Sequence, residues 1–220
     1  MITEKHIQTG ESGNGYNLIG LWHGTVSAEA FSEFDCRGLG VHIGTYEQAK
    51  AALDDLHGTE GRLIQVNARV LNPIRLPDMG SFWSSPIRMI TEIAKAMGSE
   101  SAARNEWDRP KYDTIHAKIS DEWDKAFLIA DKSIKRQNPF DDLSSLKHEC
   151  ATRLVLQQNG FDGIVYANQF EGVLKRDDDA LSASPSRTSG DSYIIFMNSQ
   201  LEIVGQDDKP CISSSANLRD

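Results

Sequence analysis

The chain has 220 residues, of which 39% are hydrophobic and 25% are charged. This length supports one sizeable hydrophobic core, and the composition is that of an ordinary soluble protein. No apolar run approaches the ~20 residues of a membrane-spanning helix, so we expect no membrane association. The formal charge of −9 disfavours nucleic-acid partners, because binding to a phosphate backbone needs clustered Lys and Arg.

The N-terminal region and the cysteines bear on the compartment. The first residues are polar and contain no apolar h-region, so we expect no Sec-type signal peptide. Cys36, Cys150 and Cys211 are too few and too scattered for a disulfide framework, which favours a reducing compartment. The sequence therefore predicts a cytoplasmic location, or entry into a cytosol by a route other than Sec.

The first apolar run, Asn17–Trp22, is followed directly by His23, Gly24 and Thr25. We interpret it as a strand that ends at this point and delivers a ring, a bare backbone and a hydroxyl group to a ligand cleft. The alternative is structural, with a satisfied core histidine and a turn glycine.

A second short run, Gly38–Thr45, also closes on a glycine and a hydroxyl residue. It leads straight into a helix predicted over Tyr46–Leu56, for which Thr45 is a suitable N-cap. Thr45 is therefore either a ligand-binding residue or a helix cap.

The middle of the chain changes from strand to helix. Alternating apolar and polar residues predict a strand over Arg62–Leu71, which Pro73 and Pro77 stop. Apolar residues at helical spacing make 80–158 mostly helical, with 99–120 left unassigned and Cys150 in a core position. The helices predicted in this block are Ser84–Met97, Asp121–Lys135 and Asp142–Gln158.

The C-terminal third returns to strands. A buried strand over Ile164–Ala167 is followed by Asn168 and Glu171, which places a carboxylate just past a strand end. A polar stretch over 173–191 reads as an exposed loop. A final pair of strands, Ser192–Met197 and Leu201–Val204, is predicted across Asn198-Ser199-Gln200.

These elements predict a single domain over 17–204. Residues 1–16 are expected to be a flexible lead-in and 205–220 a polar tail. The domain carries a helical insertion at about 80–158 and the exposed loop 173–191.

Three separated segments together resemble the ADP-ribosyltransferase superfamily, on the branch of diphtheria toxin and the poly-ADP-ribose polymerases, and in particular its small phage and bacterial effector-type members. They are Trp22-His23-Gly24-Thr25, Val41-His42-Ile43-Gly44-Thr45, and Gly160–Val165 leading to Asn168 and Glu171 and then to Ser192–Phe196. The resemblance implies an α+β fold in which two small packed β-sheets form an NAD cleft, with the helical insertion outside it.

The resemblance also implies roles for individual residues. Glu171 and His23 would be catalytic. His23 would hydrogen-bond a ribose hydroxyl, the Gly24 backbone would hold the nicotinamide amide, and Thr25 would orient the dinucleotide. The full set of implied NAD-binding residues is His23, Gly24, Thr25, His42, Gly44, Thr45, Tyr46 and Asn168.

Two departures from the family pattern leave alternatives open. His42 stands where better-known members carry Tyr, so stacking on nicotinamide falls to His42, to Tyr46 or to another residue. Glu171 is favoured as the acid of the third segment, with Gln200 as the alternative.

The implied function is a mono-ADP-ribosyltransferase that uses NAD as substrate and modifies a protein of a host or competitor. One alternative is an NAD glycohydrolase toxin, and another is an inactive relative that binds a partner protein. No metal is expected, because none of the six histidines forms a His-x-His or His-x-x-x-His pair. Gly-rich phosphate loops are also absent from the sequence.

Overall fold

The computed structural model describes residues 15–27, 32–55, 61–98, 109–139, 141–168 and 190–206. The chain is an α+β protein whose described part contains small β-sheets and four helices. It divides into two compact units, the first comprising Met1–Phe34, Val41–Val70 and Ala167–Asp220 and the second comprising Asp35–Gly40 and Leu71–Tyr166.

Eleven strands and helices follow one another in the described residues. They are β1 (Leu18–Thr25), β2 (Val41–Ile43), α1 (Tyr46–Asp55), β3 (Arg62–Ala68), β4 (Pro73–Arg75), α2 (Pro86–Gly98), α3 (Arg109–Ser133), α4 (Leu143–Gln158), β5 (Gly163–Ala167), β6 (Asp191–Ile195) and β7 (Leu201–Gln206). Short 3₁₀ turns lie at Gly80–Phe82 and Asn198–Gln200. None of these helices combines the length and apolarity needed to cross a membrane.

The first unit contains a three-stranded antiparallel sheet in the order β1-β3-β7. Its central strand β3 supplies Leu63, Ile64 and Val66, all fully buried. The predicted end of β1 at Trp22 is wrong, because His23, Gly24 and Thr25 continue the ladder opposite Ile64, Leu63 and Arg62. Pairing with β3 extends the strand through residues that look like a turn in isolation.

The predicted final strands also need correction, since they pair with different partners. β6 pairs antiparallel with β2, and β7 pairs antiparallel with β3. The backbone of Phe34, which belongs to neither strand, holds the connection between β6 and β7. The Asn198 side chain accepts the Phe34 N–H at 2.9 Å and donates to the Phe34 carbonyl at 2.7 Å. The turn therefore joins two separate pairings and does not close a hairpin.

Helix α1 begins as predicted, with Thr45 as its N-cap. The Thr45 hydroxyl accepts the Gln48 N–H at 3.3 Å, and Gln48 Oε1 accepts the Thr45 N–H at 2.8 Å. This reciprocal pair is a capping box. The helix packs Ala49 and Leu53 against β3, with Trp22 of β1 lying against the same cluster.

The second unit is mainly helical, as predicted for 80–158. Helix α3 begins at Arg109, twelve residues before the predicted start at Asp121. Its early turns carry few apolar residues, and only four residues of the helix are buried, so the periodic signal is weak there. Pro110 is tolerated because it stands in the first turn. Cys150 lies buried on α4, as expected.

A short strand follows the predicted stop at Pro73. β4 begins at this proline and pairs in parallel with β5, with Ile74 opposite Ile164. A proline is compatible with the first position of a strand, where a ladder hydrogen bond from its nitrogen is not needed.

The segment Asp35–Gly40 is fixed within the second unit by charged groups. Arg37 contacts Asp35 at 2.6 Å and Asp141 at 3.0 Å. Arg153 of α4 donates to the carbonyls of Cys36 and Arg37. The hydrogen bond from Arg37 lowers the pKa of Asp141 from 3.8 to about 2, and the two backbone N–H groups that Asp141 also accepts act in the same direction.

We predict that Asp141→Asn lowers the free energy of unfolding at pH 7. Because the folded-state pKa of Asp141 is about 2, its stabilisation is present above pH 3.8 and is lost as the pH falls toward 2. Urea unfolding between pH 7 and pH 3 should therefore show a difference from wild type that narrows on acidification. Asp113→Asn, which removes an exposed pair with Arg109, is the control and should change little. Equal stability of Asp141→Asn and wild type at pH 7 would contradict this account.

Candidate functional site

The first two sequence segments meet where β1 and β2 touch. The Trp22 N–H donates to the Gly44 carbonyl at 2.8 Å, and the Gly44 N–H donates to the Trp22 carbonyl at 2.9 Å. This isolated bridge links β1 to Gly44, the residue that directly follows β2. It places His23 next to the backbone of His42.

The hydrogen bond of His23 defines its tautomer. Nδ1 lies 2.7 Å from the His42 carbonyl oxygen. A carbonyl oxygen only accepts, so we assign the proton to Nδ1, which leaves Nε2 as an acceptor in the neutral ring. Burial lowers the pKa of His23 below 6.5, and the bond to His42 opposes that effect only in part. The ring of Phe34 meets it edge-on at 5.2 Å.

Gly24 presents its backbone at the edge of β1. The Trp22 N–H and carbonyl point away from β3 toward Gly44, and strand geometry turns the same groups of Gly24 to the same side. Among the described residues nothing bonds to them. Gly24 therefore offers one donor and one acceptor beside His23.

The absence of a side chain at Gly24 also has a packing reason. A Cβ atom there would overlap the Ala49 carbonyl oxygen and approach Leu53 Cγ to 3.0 Å. Strand β1 and helix α1 can approach this closely only with glycine at the contact. The contact with α1 and the backbone groups that point away from β3 lie on different sides of the same residue.

Two aromatic rings lie next to this edge. Trp22 and Tyr46 pack edge-to-face with ring centroids 5.1 Å apart. Tyr46 begins α1 and is 40% exposed, whereas His42 is half-buried in β2 opposite Ile194. Of the two rings considered for stacking, Tyr46 is the more accessible. Its contact with a ligand stays a prediction.

The two threonines of the predicted site have local contacts. Thr25 Oγ1 accepts the Ser27 N–H at 3.2 Å, and Thr45 Oγ1 caps α1. Both side chains are only half-buried. Their roles with NAD stay predictions.

Asn168 belongs to a buried polar network that sequence reasoning missed. It donates to Ser192 Oγ at 3.0 Å, and Ser192 donates to Gln48 Oε1 at 3.1 Å. Gln48 Nε2 donates to the Gly190 carbonyl at 3.1 Å. Gly44 borders the network, because a Cβ atom there would overlap Gln48 Oε1. The sequence signal for Gln48 was the Thr45-x-x-Gln48 capping box, which indicates that the Gln48 side chain bonds to the backbone at the start of the helix.

The third segment is described only in part. Glu171 lies outside the described residues, as does the predicted loop up to residue 189. Gln200, the alternative, is buried and bonded to the backbone: it donates to the Arg69 carbonyl and accepts the Met197 N–H, both at 3.1 Å. These contacts give Gln200 a structural role at the start of β7.

Within the described ranges, no group of three or more His, Cys, Asp or Glu side chains is arranged to hold a metal ion.

Comparisons with known proteins were made at three levels. No protein-family model, no curated protein and no solved structure matched the chain.

We predict that Gly24→Ala lowers the free energy of unfolding by about 1–3 kcal/mol, because the new methyl group forces β1 away from α1. Urea denaturation monitored by circular dichroism measures it. Gly205→Ala in β7 is the matched control, since its Cβ would meet only Gln65 Oε1 at 3.8 Å. Equal effects of the two substitutions would contradict the close contact.

We also predict that His23 titrates below 6.5 and carries its proton on Nδ1. Its pKa is lowered in the folded state, so it contributes stability that is complete above pH 6.5 and is lost on acidification through the folded pKa. Long-range ¹H–¹⁵N spectra report both tautomer and pKa. His23→Asn should remove this pH-dependent part of the stability while keeping an amide donor for the His42 carbonyl. A ring protonated on Nε2 at pH 7 would overturn the assignment.

Proposed function

We propose that this protein is a mono-ADP-ribosyltransferase that transfers ADP-ribose from NAD to a side chain of a host or target protein and releases nicotinamide. The observation that carries the proposal is the imidazole of His23, whose Nδ1 lies 2.7 Å from the His42 carbonyl oxygen, beside backbone groups of Gly24 to which no described residue bonds. The sequence resemblance of the three segments supplies the reaction class.

The recognition chemistry fits the nicotinamide riboside end of NAD. Nε2 of His23 accepts a hydrogen bond from a ribose hydroxyl. The carboxamide of nicotinamide has one NH₂ donor and one C=O acceptor, which complement the carbonyl and N–H of Gly24. The exposed ring of Tyr46 is available to stack on the nicotinamide ring. In this proposal the β1–β2 junction forms one wall of the NAD cleft.

The bond that breaks joins the nicotinamide nitrogen to ribose C1′. Nicotinamide leaves as a neutral group with the bonding electrons, and positive charge develops on the ribose as in glycoside hydrolysis. The carboxylate of Glu171 stabilises that charge and takes the proton from the acceptor side chain as the new bond forms to C1′. No metal is required for this sequence of events.

The acceptor is proposed to be a protein side chain. The helical second unit and the sequence 173–191 are not needed for the NAD-binding strands and are the proposed surfaces for target recognition. The reaction would take place in the cytoplasm, or in a host cytosol after entry by a route other than Sec.

The proposal predicts that the protein with labelled NAD and host lysate gives a labelled protein band. Glu171→Gln should lower labelling by about 10²- to 10³-fold, because the charge on the ribose loses its counter-charge.

His23→Ala should weaken NAD binding, and His23→Gln, which can place an acceptor near Nε2, should restore part of it. The control is Glu202→Gln. Glu202 lies on the other edge strand, β7, and its carboxylate accepts a hydrogen bond from Asn67.

The same assay separates the alternatives. Nicotinamide release at a rate independent of lysate, with no labelled protein, identifies an NAD glycohydrolase. Absence of NAD binding by the intact protein in calorimetry rejects both enzymatic functions and favours a partner-binding relative. Labelling that persists unchanged in Glu171→Gln rejects Glu171 as the acid.

A further inference from the structure

We infer that Asn198 is a positioning residue that fixes the ring of His23 through the backbone of Phe34. His23 binds the ribose in the function proposed above, so the consequence for NAD binding rests on that function. The positioning itself rests on two hydrogen bonds and one ring contact within the first unit.

Asn198 holds both backbone groups of Phe34 with one planar amide. Its Oδ1 accepts the Phe34 N–H at 2.9 Å, and its Nδ2 donates to the Phe34 carbonyl at 2.7 Å. Two bonds from one rigid group set the orientation of the bound residue as well as its distance. The two residues are 164 positions apart, so the amide makes a tertiary contact and does not merely close a local turn.

The turn that carries Asn198 is itself attached to the three-stranded sheet. The Gln200 side chain donates to the Arg69 carbonyl at 3.1 Å, and the Gln200 carbonyl accepts the Arg69 N–H at 2.8 Å. Arg69 directly follows β3, the central strand of that sheet. The Gln200 side chain also accepts the Met197 N–H. Asn198 therefore projects from a support that is bonded to the strand next to β1.

The ring of Phe34 lies against the ring of His23. The ring centroids are 5.2 Å apart, and the ring planes are almost perpendicular, at 88°. Phe34 is 7% exposed, so its ring belongs to the core while it contacts the half-buried imidazole. The His42 carbonyl holds one atom of the imidazole, Nδ1, and a bond at one atom leaves the ring able to tilt. The Phe34 ring restricts that tilt.

The consequence concerns the direction in which Nε2 of His23 points. A tilt of the ring about its bond to the His42 carbonyl moves Nε2 and leaves Nδ1 nearly in place. In the proposed function Nε2 accepts a hydrogen bond from a ribose hydroxyl, and such a bond depends on angle as well as distance. Loss of the Asn198 bonds should therefore weaken NAD binding although Asn198 does not touch the ligand in this proposal.

The test is Asn198→Ala in the full chain, which removes both bonds to Phe34 and adds no charge near His23. Other contacts of Phe34 remain, so we expect its ring to shift and not to leave the core. In NMR spectra the resonances of the His23 ring protons should move, and the pKa of His23 should rise toward 6.5 because the imidazole gains access to water. The Kd for NAD should rise about 3- to 10-fold, which is the effect of one hydrogen bond.

Asn17→Ala is the matched control. Asn17 donates to the Val70 carbonyl at 2.6 Å and accepts the Val70 N–H at 2.8 Å, so it makes the same two-bond contact in the same unit. The control should lose a similar free energy of unfolding and leave the His23 signals and the Kd for NAD unchanged.

Phe34→Leu is a second variant that tests the route through the ring. It keeps the bonds from Asn198, because they are made to the Phe34 backbone, and removes the aromatic contact with His23. It should move the same His23 signals in spectra, and it decides the positioning if Asn198→Ala does not fold.

The outcomes are separable from failure of the proposed function. Unchanged His23 resonances and pKa in either folded variant overturn the positioning, whatever the protein does with NAD. Equal changes at His23 in Asn17→Ala indicate a general loosening of the unit and overturn it as well. Altered His23 signals with an unchanged Kd for NAD overturn the consequence for binding. If wild type does not bind NAD, the proposed function fails, and the His23 signals still decide the positioning.

Discussion

The close approach of backbone at Gly44 is the constraint on which the described site depends. Without a side chain there, Gly44 exchanges two hydrogen bonds with Trp22 and leaves space for Gln48 Oε1 and Ser192 Oγ. The hydrogen bonds with Trp22 join β1 to the end of β2. The free space beside Gly44 allows the Gln48 amide to be buried at the start of α1. A methyl group at this position would lie 2.8 Å from Ser192 Oγ and force the network apart.

The structural and functional interpretations of the His-Gly-Thr segment are not exclusive. Gly24 is required by its packing on α1, and the same residue has backbone groups that β3 does not use. His23 is anchored by one ring nitrogen and leaves the other as an acceptor. Fixing a polar group through one atom while another stays available is how a ligand site obtains preorganisation at small entropic cost on binding.

Local signals in the sequence predicted the parts of the fold that are set locally. The cap at Thr45, the start of α4 after Asp142 and the core position of Cys150 all follow from residues within one or two turns. The partners of β6 and β7 could not be predicted in this way. Their pairings with β2 and β3 join residues more than 130 positions apart, and the contact of Asn198 with the Phe34 backbone has no local signature.

The candidate site was predictable to the same extent. The residue types at the end of β1 indicated a ligand edge, but the predicted end of the strand was wrong because the ladder with β3 is a long-range contact. The buried network of Gln48 could not be predicted, because Gln48 bonds to Gly190 and Ser192, which are over 140 positions away along the chain. The α3 start was missed for a different reason, since a solvated helix turn has little apolar periodicity to detect.

The protonation state of His23 connects the fold to the proposed chemistry. The nicotinamide ring of NAD is positively charged, and this charge passes to the ribose as the bond breaks and nicotinamide leaves as a neutral group. An imidazolium next to that ring would oppose binding and catalysis, whereas a neutral imidazole accepts a hydroxyl proton without adding charge. Burial against Phe34 disfavours the charged ring, and the His42 carbonyl selects the tautomer whose free nitrogen accepts. The contacts of His23 at the β1–β2 junction thus keep its ring neutral with one nitrogen free to accept, which is the state that the proposed binding of a cationic ligand requires.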